Sequence, residues 1–197
     1  MRAFRLFDLA VALCSLTTFL VTPALVEGQE PDSAHFHPGQ WGVDFRIGSG
    51  FAAAGALHFT SPTRATLLEL SSGYSHGSIS GPVPTARTSN VDAALSVGRR
   101  AYRTVDPHVY RWTTMGLSVL YDRQSSSQNS LTTTAQGLGA GVFANIGAGW
   151  LVTPHLGLGA QWQVGVTYNH RSASGSFTSD IVTVVLAQVA LTGQLYF

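Results

Sequence analysis

The sequence contains no lysine, and its only cysteine is Cys14. Charged residues of all kinds make up 11% of the chain, against roughly 25% in ordinary soluble domains. Each shortage excludes a class of chemistry. Cys14 sits in the apolar N-terminal stretch described below, so the rest of the chain has no thiol for a disulfide, a thiolate metal site or a cysteine nucleophile. A formal net charge of +1 provides no basic face, so no nucleic-acid partner is expected. Beyond residue 41 no apolar pattern has the period of an amphipathic helix. With 197 residues, one folded domain is the natural expectation.

What is present begins with a basic head, MRAFR, and the apolar stretch LFDLAVALCSLTTFLVTPALV, followed by Val26 and Gly28 ahead of Gln29. Head, apolar region and small-residue cleavage site in that order predict a secretory signal peptide over residues 1–28. A retained anchor is the rival on length, but Pro23 and the lack of a basic stop-transfer flank oppose it. Cys14 follows the bulky Leu13, which does not suit lipidation, and reads as one more apolar residue. Residues 29–40, QEPDSAHFHPGQ, read as a polar linker. His35 and His37 within it are two imidazoles without a converging ligand set, so no metal site is expected. Nothing calls for a cofactor.

At Trp41 the period changes to two. In WGVDFRIG, Trp41, Val43, Phe45 and Ile47 share one face while Gly42, Asp44, Arg46 and Gly48 share the other, the pattern of a strand between two different surroundings. Similar segments recur over 52–60, 64–77, 89–102, 109–123, 135–150, 156–170 and 181–197. The connections SPTR, RTVDPH and VTPH are brief, whereas 76–88, 124–134 and 170–179 read as longer loops rich in Ser and Thr. The strands exceed the five or six residues usual in soluble sheets and match the ten or so tilted residues that cross a bilayer. An even number of such strands, with short turns alternating with longer loops everywhere but at the brief first connection GSGF, predicts a membrane β-barrel. The barrel must close, because an open edge in hydrocarbon leaves backbone groups unpaired. A soluble sandwich or lipocalin-like barrel would show a charged outer face; here the second face is mostly Gly, Ser, Asn and Gln.

From Trp41 to Phe197 the chain resembles the small outer-membrane β-barrel proteins of Gram-negative-type bacteria. The sharpest motif is the final strand, where Val189, Leu191, Leu195 and Phe197 alternate on one face and Gly193 interrupts them. The resemblance implies an all-β, eight-stranded antiparallel up-and-down transmembrane β-barrel over 41–197. The 29–40 linker and the short turns would then lie in the periplasm, and the longer loops outside the cell. It also implies partners: outer-membrane lipid and lipopolysaccharide, periplasmic chaperones, and the outer-membrane assembly machinery, which reads a terminal strand similar to this one. Trp41, Tyr74, Tyr121, Trp150 and Tyr168 fall on the lipid-facing register and are expected at the membrane interfaces; Trp162, on the same face, lies mid-strand.

An eight-stranded barrel has an interior just wide enough for side chains to fill. Parity points Asp44, Arg46, Glu69, Asp92 and Arg100 inward, where charges must be paired. A polar lumen network is the expectation, with a narrow gated channel or a binding cleft as the alternative. In NHRSASG, His170 stands two residues before Ser172, close enough to activate it as a nucleophile, with Asp180 as the nearby orienting acid. This resembles the His-x-Ser motif of outer-membrane lipid A deacylases, although Ala173 stands where that family carries Asn. A Ser-rich loop produces such a pair by chance, so the expected role is structural, adhesive or weakly ligand-binding rather than catalytic. The residues name no extracellular ligand.

Overall fold

The computed structural model describes residues 36–79, 86–128, 131–173 and 177–197. The expected signal peptide over 1–28, and His35, lie outside the described residues. Eight strands follow one another: β1 Trp41–Gly48, β2 Phe51–Ser61, β3 Arg64–Ile79, β4 Ala86–Asp106, β5 Val109–Gln128, β6 Leu131–Thr153, β7 Leu156–Ala173 and β8 Phe177–Tyr196. Each pairs antiparallel with its sequence neighbours, and β8 returns to β1, so the sheet closes into a barrel in the order predicted. The seam runs from Gly42 opposite Tyr196 to Gly48 opposite Ala190. It is tied off by two backbone bonds between Trp41 and Phe197, of 3.1 and 3.0 Å. Closure leaves no strand edge unpaired.

The alternation in the sequence becomes an inside and an outside. Along β1, Asp44 and Arg46 are buried in the lumen while Phe45 and Ile47 lie open on the outer wall. Leu68 and Leu70 on β3, Leu95 and Val97 on β4, and Leu117 and Val119 on β5 continue this outer belt, each more than half exposed or close to it. Large aliphatic side chains in a continuous outward band make a surface for hydrocarbon, not for water. The fold is a transmembrane β-barrel.

The register slips at four places. Three lie beside the short connections, at Phe59/Ser61, Thr104/Asp106 and Leu151/Thr153. The fourth lies within β7–β8, where Gln163 faces Gln188 but Gly165 faces Val185, so two steps along β7 match three along β8. That bulge switches the outward parity of β8 from Asp180, Val182 and Val184 to Val189, Leu191 and Leu195.

The expected long loops need correction. Residues 76–79, 86–88, 124–128, 131–134, 170–173 and 177–179 are strand, and β5 and β6 pair continuously from Val109 opposite Trp150 to Gln128 opposite Leu131. The Ser/Thr runs hid this because both faces there are polar, so the period-two signal disappears. Thr is nonetheless well suited to extended backbone. The rim is uneven as a result: β1 has 8 residues and β2 has 11, while β5 has 20 and β6 has 23.

Candidate functional site

The lumen is layered. At the end with the short connections, Phe36, Phe59, Tyr102, Tyr110, Trp112 and Tyr196 form an aromatic cluster with Leu57 and Leu67. Phe36 is its centre, stacked on Phe59 at 4.5 Å between ring centroids and 4.8 Å from both Tyr102 and Tyr196. The chain enters through a tight turn. Gln40 N–H donates to the His37 carbonyl (3.1 Å), Gly39 adopts φ +84°, and Gly39 N–H donates to the Phe59 carbonyl (2.7 Å). Only glycine adopts that backbone freely. The segment 29–40, expected as a linker, therefore supplies a core residue: Phe36 is 3% exposed. Nothing in the local pattern around one Phe in a polar run betrays this.

Room for the rings comes from β6. A Cβ at Gly147 would overlap the Trp112 indole, and one at Gly149 would lie 2.7 Å from the Tyr110 ring. The glycines opposite the apolar face of IGAGW are thus the floor on which two aromatics lie.

Next comes an ionic layer. Arg100 Nη2 donates to Asp44 Oδ2 at 2.6 Å, both side chains being fully buried, and Arg100 Nε donates to Thr114 Oγ1 at 3.0 Å. Arg46 pairs with Glu69 and donates to Gln163 Oε1 at 3.0 Å. Gln194 joins the layers: its amide donates to Asp44 Oδ1 (3.1 Å), and its carbonyl accepts from Tyr110 OH (2.8 Å) and from Tyr196 OH. The Arg100 guanidinium also sits 5.4 Å from the Trp112 ring centroid, close enough for cation–π attraction. These contacts pair charges that would otherwise be costly to bury, while Arg46 Nε and Glu69 Oε2 are buried without a hydrogen bond.

Toward the opposite rim, Asp122 pairs with Arg171 (2.7 Å) and accepts from Asn169. Asp92 does not join the Asp44–Arg100 group. It is half-buried beside Gly73 and directly opposite Asp122 in the β4–β5 register. Of the five inward charges expected, four meet as two ion pairs and Asp92 stands in this outer layer. Asp122, Arg171, Gln194 and the inward aromatics were missed, although parity reaches several of them: Tyr102 follows Arg100 by two, Tyr110 and Trp112 flank the outward Arg111, and Tyr196 follows Gln194 by two.

The other expected residues lie on the outer wall. Trp41, Tyr74, Tyr121, Trp150 and Tyr168 face outward, as do Val189, Leu191, Leu195 and Phe197. His170 Nδ1 is 2.7 Å from Asp180 Oδ1, which also accepts from Tyr168 OH at 2.8 Å. Ser172 is exposed on the same face of β7, opposite Thr178, and makes no hydrogen bond to His170. Among the described residues no cluster of three or more His, Cys, Asp or Glu converges as a metal site.

No protein-family model matches the chain, and no curated protein matches it. Solved structures do. A major outer membrane protein from Thermus thermophilus superposes with TM-score 0.55 at 9% identity, covering 80% of this chain and 98% of that one. Ail, the attachment invasion locus protein of Yersinia pestis, gives 0.44 at 8% identity, covering 80% and 93%. Neisserial surface protein A gives 0.37 at 15% identity, covering 80% and 95%. At such identities the likeness speaks to the fold, and the Thermus protein carries it: this chain has the architecture of small outer-membrane β-barrels.

Proposed function

We propose that the chain is an integral bacterial outer-membrane barrel, exported through a cleaved signal peptide. In this reading its role is structural, adhesive or weakly ligand-binding and requires no catalysis and no cofactor. The observation that carries it is the pairing of an apolar outer belt with a lumen packed by side chains at the short-connection end. A barrel filled in this way is a rigid support for what its opposite rim presents. Its partners would be lipid and lipopolysaccharide along the belt and, during biogenesis, periplasmic chaperones and the assembly machinery. The outward apolar face of β8, with Val189, Leu191 and Leu195, suits the latter. Fractionation with outer membranes and heat-modifiable migration on gels test the reading together. A protein recovered in the soluble periplasm, with one gel mobility at all temperatures, would end it.

A second reading rests on one contact, His170 to Asp180. A histidine held by a carboxylate beside a serine is the arrangement that activates a hydroxyl for acyl transfer, and an outward-facing position would suit a lipid substrate. Ser172 would have to rotate onto the free imidazole nitrogen. Mass spectrometry of lipid A with and without expression decides between the readings. The structural role expects identical spectra, whereas acyl loss abolished by Ser172→Ala would establish the hydrolase.

A further inference from the structure

The outer wall of β4–β8 carries two features that the apolar belt does not account for. Arg103 and Arg111 are exposed and stand directly opposite one another in the β4–β5 register, each a few residues from the connection at 107–108. Like charges in that relation repel, and no carboxylate among the described residues pairs with either. Beside Arg111 a shallow groove of about 440 Å³ crosses the wall. Its floor is Ala148 and Ala160, in register with Arg111 and with each other, and Ile146, Trp162 and Val189 form its side. Trp162 is the outward aromatic that sits mid-strand, two residues from Ala160.

We propose that this is a lipid site for one anionic phospholipid of the leaflet on the short-connection side: the phosphate bridges Arg103 and Arg111, and an acyl chain lies over Ala148 and Ala160 against Trp162. The chemistry fits each part. A phosphate oxygen accepts charge-assisted hydrogen bonds from two guanidinium groups and removes their repulsion. Arginine stems lie along apolar surface while their heads reach the interface. Small side chains in a wall of Leu, Val and Ile leave a shallow apolar trough, and the indole gives it a flat side. A neutral lipid could fill the trough but would leave the arginines unbridged. The inference rests on the barrel facing lipid, as proposed above.

The test is native mass spectrometry of the full chain released from nanodiscs of equal parts phosphatidylglycerol and phosphatidylcholine. Heat-modifiable gel migration of each sample separately reports whether the barrel has formed. The expected result is one retained phosphatidylglycerol, with retention falling on the order of tenfold in Arg103→Gln/Arg111→Gln. Ala160→Phe, which fills the trough and leaves both arginines in place, is expected to lower retention as well. Arg123→Gln, near the opposite rim, is expected to change it less than about twofold. Equal retention of the two lipids, wild-type retention in either groove variant, or an equal loss in Arg123→Gln would overturn the site while leaving the barrel intact. Loss of heat-modifiability in the wild-type chain would instead overturn the barrel.

Discussion

The two ends of the lumen obey the same parity rule and hold opposite chemistry. Near the short connections the inward positions are Phe59, Tyr102, Tyr110, Trp112 and Tyr196, closed over Phe36. Near the far rim they are Asp92, Asp122, Asn169 and Arg171, with one ion pair, Arg171–Asp122, whose arginine side chain is 26% exposed. The first end is packed like a soluble core, where density and dispersion hold the shape. The second is a polar layer in which Asp122 is buried and Asp92, Asn169 and Arg171 are half-buried. Stability should therefore concentrate at one end and recognition at the other.

Substitutions can break that contrast. The largest effect is expected from Arg100→Met, which strands the fully buried Asp44 carboxylate; losing one partner of a buried pair costs about 3–5 kcal/mol. Urea unfolding in vesicles, followed by the heat-modifiable band, should show the midpoint collapse. Phe36→Ala should follow closely, because truncating a buried Phe costs about 3–5 kcal/mol, and here the cost would come from a residue outside every strand. Gly147→Ala drives a methyl into the Trp112 indole, and overpacking of that kind costs about 1–3 kcal/mol. At the polar end, Ser126→Ala, opposite Thr133 in the β5–β6 register, should cost less than about 0.5 kcal/mol in the same assay, as surface changes usually do. If Ser126→Ala rivalled Phe36→Ala, the division between the two ends would be wrong.

The legibility of the sequence divides along the same line. Where one face meets lipid and the other a polar lumen, alternation is clear, and strands such as WGVDFRIG, their order and the inward charges Asp44, Arg46, Glu69 and Arg100 could be read directly. Beyond the belt the contrast between faces vanishes, and SSSQ and LTTT looked like loop although they are paired strand. The β8 bulge has no sequence signature either, since VTVVLAQVAL is apolar on both sides of it. Phe36 was unreadable for a different reason: a lone aromatic acquires a partner only through the chain reversal at Gly39, a tertiary event. The pairing of His170 with Asp180 was legible as well, because Asp180 is the acid near His170 in the sequence, and the β7–β8 register sets the two directly opposite.

The central claim is that side chains seal the lumen at the short-connection end, and single-channel recording tests it most directly. The full chain, reconstituted in planar bilayers and shown to be folded by its heat-modifiable migration, should give no sustained conductance steps at either polarity. Stable ohmic conductance from the wild-type protein would contradict the sealed lumen and favour the narrow channel.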